Sequence, residues 1–267
     1  MSPLSHAIGG KISMNRIEKA FDRKKACIAF VTGGDPDLRT TEELILTAAA
    51  SGADIVEVGI PFSDPVAGGI EIQEADERAI AAGCTTDKIF TMLQSVREKT
   101  DTAFIVVTYM NPVFRYGSER FIARCRESGV DGLMVPDLPF EEREEISAYC
   151  SAAGLHLISV ISPSADDRVR RIAEASEGFM YCMMSPEDMA DPIAAAAGMK
   201  ALIGQIRSHS NIPCAVYTED VSAATIQQIF NMADGVILGN ALVRLVAQYG
   251  AEAVVPVQMC LTEIESL

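Results

Sequence analysis

Eight short apolar runs, each followed by a stretch of helical pattern, recur along the chain, and this alternation limits the fold more than any other feature. The runs are CIAFVTGG (27–34), ADIVEVGIP (53–61), AFIVVTYMNP (103–112), GLMVPDLP (132–139), HLISVISP (156–163), GFMYCMM (178–184), CAVYTED (214–220) and GVILGNALV (235–243). Between them lie amphipathic segments such as TTEELILTAAASG and FEEREEISAYCSAAG, apolar at helical spacing with Gly near the end as a stop. Strand and helix in strict alternation mean parallel strands joined by right-handed crossovers. Eight such units in 267 residues predict an α/β fold of the (β/α)8 TIM-barrel type. A doubly wound open sheet competes, but the turn after the first run reads TGGDPD, not a dinucleotide fingerprint. No linker or low-complexity break interrupts residues 1–267, so a single TIM-barrel domain is expected, with MNRIEKAF as an extra N-terminal helix capping the barrel floor.

Charge narrows the range of partners. The formal net charge is -15, with 37 acids against 22 bases, which disfavours nucleic acid because a phosphate backbone needs a basic face. The basic cluster RVRRI (168–172) reads as the solvated side of a helix. No apolar stretch is long enough to span a bilayer, and the first residues lack the apolar core of a signal peptide. A cytoplasmic protein is the expectation. The seven cysteines carry no metal-type spacing and fit small buried hydrophobes in a reducing compartment. None of the three histidines has a second ligand at metal spacing, so no metal is expected.

In such barrels chemistry collects at the C-terminal strand ends and the loops beyond them. Glu57 lies within the second run, between Val56 and Val58, and so points opposite to both. A carboxylate in either dry layer of a barrel is costly unless bonded, paired or protonated. Burial raises its pKa, which suits a general acid or base. The plain alternative is a Glu that bonds a backbone amide or a tyrosine and does nothing else.

FVTGGDPD, VEVGIPFSDP, TYMNPVFRYG, VDGLMVPDLPFEE and ADGVILGNALV together resemble the tryptophan synthase α subunit family, from MNRIEKAF to about residue 250. GIPFSDP is the most specific of these motifs. The resemblance implies an eight-stranded barrel that cleaves indole-3-glycerol phosphate to indole and glyceraldehyde 3-phosphate. It implies no metal or organic cofactor, and docking on a pyridoxal-phosphate β subunit. It assigns proton transfer to Glu57, substrate contacts to Phe30, Tyr109, Tyr181, Gly239 and Asn240, and partner contacts to Pro61, Asp64, Asn111 and Pro139. Those last four also fit a plain role in stabilising turns.

Three segments depart from the family pattern. Where the family carries a second acid that stabilises charge on the indole nitrogen, PVAGGI places Gly68. Glu71 and Glu74 follow in the next helix start, with nothing in the sequence to bring them to the site. Where the family has a glycine-rich phosphate loop, YTEDVS places Tyr217 and Glu219, and Asp220 adds further negative charge. The lid after the sixth run reads MMSPEDMADPIAAAAG, with Glu187, Asp188 and Asp191 and no glycine from Met184 to Ala197. The ordinary lyase activity is therefore expected to be weak or absent. Two further readings stand beside it: a non-catalytic α-like partner of a β subunit, or a lyase acting on a different, non-phosphorylated or cationic substrate.

Overall fold

The computed structural model describes residues 15–22, 25–184 and 191–267. Nine parallel strands surround a common axis: β1 (Ala26–Thr32), β2 (Ile55–Gly59), β3 (Ala103–Val107), β4 (Gly132–Met134), β5 (His156–Leu157), β6 (Ser159–Ile161), β7 (Met180–Cys182), β8 (Cys214–Thr218) and β9 (Gly235–Leu238). Neighbours run β5-β4-β3-β2-β1-β9-β8-β7-β6. The fifth apolar run supplies both ends of that order, β5 on β4 and β6 on β7, so the ladder closes into the expected (β/α)8 barrel.

The run is divided for a local reason. The Ile158 N–H still donates to the Leu133 carbonyl at 2.9 Å, but the next residues of the neighbouring chain cannot continue the ladder. Pro136 has no N–H, and the Val135 carbonyl accepts from Leu138 N–H at 3.1 Å as the chain turns away. β6 is thereby left with β7 alone, and a cavity of about 230 Å³ opens at the seam.

Between the strands run the helices that the amphipathic spacing predicts, among them α2 (Leu38–Ala50), α3 (Gly69–Ala81), α4 (Thr86–Arg97), α5 (Met110–Tyr116), α6 (Ser118–Glu127), α7 (Glu144–Ala153), α8 (Asp166–Ala175), α9 (Pro192–His209), α10 (Ala223–Met232), α11 (Asn240–Tyr249) and α12 (Val254–Glu265). Strand side chains alternate between two cores. Val56, Val58, Ala29 and Val31 face the helices, whereas Ile28, Ile55, Ile105, Met134, Ile158, Tyr181 and Ile237 fill the barrel. A short helix, α1 (Arg16–Ala20), closes the floor as the sequence predicts. Its Asn15 and Glu18 form a reciprocal capping box, and fully buried Ile17 enters the interior core.

Three aspartates, each one residue before a strand or its first ladder pair, brace the floor. Asp54, Asp131 and Asp234 accept from the backbone N–H of Cys27, Phe104 and Cys214 at 3.0, 2.9 and 3.0 Å. Each thereby ties the start of one strand to the start of its neighbour. At the opposite end Asp137, in the loop after β4, accepts from Met110 N–H beyond β3 at 2.9 Å.

Candidate active site

Glu57 is on the Ile55 face of β2 and so enters the barrel, beside Phe30 of β1 and Ile105 of β3 in the strand register. It is wholly buried, and among the described residues neither carboxyl oxygen has a hydrogen-bond partner. The backbone amide or tyrosine bond that a purely structural Glu would make is not formed. With no donor or cation to favour the charged form, burial pushes its pKa up to about 8. At neutral pH this carboxyl holds its proton. Tyr181, buried in the same interior, is raised well above its ordinary value by burial and then by the Glu57 charge.

The loop after β2 turns through Gly68, at φ 97 and ψ -4, which precedes the first turn of α3. Tyr109 and Asp76 both hold this loop. Tyr109, 6% exposed, donates its hydroxyl to the Ala67 carbonyl at 2.9 Å and accepts from Ala67 N–H at 3.2 Å, with its ring against Phe62. Asp76, on the inner face of α3, is raised to about 7, chiefly by burial and partly offset by a hydrogen bond from the Phe62 backbone. Asp35 of the TGGDPD turn is consumed by a two-pronged pair with Arg78, both contacts at 2.8 Å.

Across the mouth, Tyr217 lies on Gly239: a Cβ built at Gly239 would fall 2.1 Å from the ring, so only glycine admits it. The Tyr217 ring stacks on Tyr181 with centroids 6.3 Å apart. Its hydroxyl donates to Asn240 Oδ1 at 3.1 Å and Glu219 Oε1 at 3.4 Å. Asn240 Nδ2 in turn reaches the Gly68 carbonyl at 3.0 Å, Glu71 at 3.2 Å and Glu219 at 3.3 Å. Arg244 of α11 closes the network, bonding the Glu219 carbonyl at 2.8 Å and pairing with the Glu71 and Glu219 carboxylates at 3.4 and 3.7 Å. The N-terminus of α11 is thus covered by an aromatic ring and two carboxylates. A free helix N-terminus attracts anions; here Glu71 and Glu219 already bond the side chain of Asn240, the first residue of α11.

Of the residues singled out in the sequence, Phe30, Glu57, Tyr181, Tyr217, Glu219, Gly239 and Asn240 meet around the mouth, and Gly68 joins them through Asn240. Tyr109 is turned to the loop backbone at Ala67. Asp64 and Pro139 are exposed and Pro61 is half-buried on the loops after β2 and β4, and Asn111 is exposed in the first turn of α5. Glu187 and Asp188 of the altered lid lie outside the described residues. Asp191 caps α9, accepting from Ile193 and Ala194 N–H at 2.9 and 3.3 Å. Glu74 stays exposed, while Glu71 does reach the mouth. Arg244 and Asp76 escaped the sequence reading. An acid among Ile72, Ala75 and Ala79 at helical spacing was the available signal for Asp76; Arg244 offered none.

A parallel (β/α)8 barrel whose mouth holds a buried carboxyl, Glu57, without a partner among the described residues defines the class. The family model described as tryptophan synthase alpha chain matches residues 17–266. The tryptophan synthase alpha chain of Geotalea uraniireducens is 40% identical over 245 residues, covering 88% of this chain and 91% of that one. That of Alkaliphilus metalliredigens is 39% identical over 225 residues, 84% of each chain. Among solved structures, tryptophan synthase subunit alpha from Legionella pneumophila superposes with a TM-score of 0.85 at 32% identity, covering 95% of this chain and 98% of that one. A chain of the tryptophan synthase complex from Pyrococcus furiosus does so with 0.83 at 28%, covering 91% and 99%. The chain belongs to the tryptophan synthase alpha chain family. Among the described residues no helix is long and apolar enough to cross a membrane.

Proposed function

We propose that this chain keeps Glu57 as the proton-transfer group of an α-chain-type site, and that its cleavage of indole-3-glycerol phosphate to indole and glyceraldehyde 3-phosphate is weak or absent. A carboxyl protonated at neutral pH can donate to a carbon as a carbon–carbon bond breaks. That reaction also places positive charge on the indole nitrogen, and the observation that carries the proposal is Gly68. Its position offers no carboxylate, and the nearest acid on the same helix, Glu71, is engaged by Asn240 and Arg244. Losing one preorganised charge-stabilising group commonly costs about a hundredfold or more in rate. Tyr217 and the Glu219 carboxylate additionally disfavour a dianionic phosphate beside α11.

The test is an indole-release assay on the purified chain, alone and mixed with a tryptophan synthase β subunit. Release at least about a hundredfold below that of a family member carrying both acids is expected. Turnover equal to such a member, lost in Glu57→Gln, would overturn the proposal. Pro61, Asp64, Asn111 and Pro139 follow the C-terminal ends of β2, β3 and β4, and a β subunit is the proposed partner there, in a cytoplasmic setting. Retention of those loops beside an altered mouth favours a second reading, a non-catalytic α-like partner. Undiminished β-subunit activation by Glu57→Gln would separate it from the first.

A further inference from the structure

We infer that the mouth of this barrel binds an organic ammonium ion, with the Glu57 carboxylate as its counter-ion. The inference rests on the reading of Glu57 as the working group of the site and names the ligand class that the reading leaves open. Glu57 is fully buried, points into the barrel, and has two oxygens without a partner among the described residues. A carboxyl so placed is stable only while protonated or while a cation from outside satisfies it. Phe30 is its register partner on β1, Tyr181 lies close enough to feel its charge, and Tyr217 stacks on Tyr181; an aromatic face attracts an ammonium group electrostatically.

The charges facing the mouth agree. Glu71 and Glu219 carry two negative charges and Arg244 one positive, so that network has one negative charge in excess. Asp220 beyond it is held by Ser222 and Thr225 at the start of α10. At Gly239, the residue before α11, the Tyr217 ring fills the space that a side chain would need. The seam cavity beside β6 has the opposite character, since Arg143 and Arg168 line it, and each is already engaged, by the Ala175 carbonyl and Glu141. The proton balance is simple. Glu57 holds a proton when the site is empty; an incoming R–NH3+ pairs with the carboxylate, and the carboxyl proton passes to solvent.

Isothermal titration of the full chain at pH 6.5 with protonated tryptamine and with neutral 3-ethylindole, in two buffers of different ionisation enthalpy, tests the assignment. A charge-assisted contact of this kind predicts at least about tenfold tighter binding of tryptamine. Close to one proton should be released per ligand bound. Glu57→Gln should lose both the preference and the proton release. Glu219→Gln, on the exposed rim, should keep the proton release and weaken tryptamine severalfold, which guards against a misfolded Glu57 variant. Equal affinities, no proton release, or no tryptamine binding by the folded chain would overturn the inference. Ready indole release from indole-3-glycerol phosphate would instead overturn the reduced-activity reading, so the two failures are distinguishable.

Discussion

Gly68 is fixed as glycine by two independent constraints. Its φ of 97 is a conformation that side chains rarely adopt, and a Cβ there would lie 2.5 Å from Ile72 Cδ1. Restoring an acid at this position therefore meets the backbone before it meets the substrate. Gly68→Asp should lower stability by about 1–3 kcal/mol, read as a fall in the urea midpoint, and should not raise indole release. Adding Ile72→Ala should recover the part due to overlap and leave the part due to φ. An unchanged midpoint in the single variant would contradict this account. The sequence made Gly68 visible as a missing acid, because a motif around it is intact. It could not reveal that the loop had settled into a conformation that excludes the acid, since φ follows from how Tyr109 and Asn240 hold the turn at Ala67 and Gly68. Glu71 and Arg244 were equally hidden: their pairing spans 173 positions and depends on α3 and α11 lying side by side.

At the level of the element, the number of barrel staves was legible from the eight apolar runs, but the division of the fifth was not. It is decided by Pro136 and the Val135 carbonyl on a neighbouring strand, so no reading of HLISVISP alone would find it. The floor aspartates allow a quantitative test of what holds neighbouring strands in register. Asp131 is 6% exposed and binds Phe104 N–H, Arg97 and Arg16 together. Asp234 makes the same backbone contact to Cys214 but pairs with the half-exposed Arg207. Asp131→Ala should cost about 3–5 kcal/mol because it leaves the largely buried Arg97 without its carboxylate. Asp234→Ala should cost nearer 1 kcal/mol. Urea unfolding of both variants checks this, and equal costs would show that the backbone contact alone dominates.

For the molecule as a whole, the barrel and its family were legible because alternation and motif survive in sequence, whereas the character of the mouth depends on which groups are left without partners. That character should be measurable as a dependence of global stability on pH. An unfolded glutamate releases its proton near pH 4.5, while folded Glu57 keeps it to about pH 8. Between those values the folded chain binds more protons than the unfolded chain, so unfolding free energy falls as pH rises and levels off above about 8. Asp76, raised to about 7, acts in the same direction. So does the self-repulsion of a chain with net charge -15. The Glu57 contribution alone is on the order of 5 kcal/mol across that window. Urea midpoints should therefore decline steadily from pH 5 to pH 8.5, and Glu57→Gln should flatten much of the decline. At pH 8.5 the variant should be more stable than the parent; at pH 5 the two should be nearly equal. Saturating tryptamine should stabilise the parent more at pH 8.5 than at pH 5, because the ligand then meets a carboxylate already formed and no proton need leave. A parent profile that is flat, or that rises toward pH 8.5, would mean that Glu57 has a partner in solution and that the mouth is not waiting for a cation.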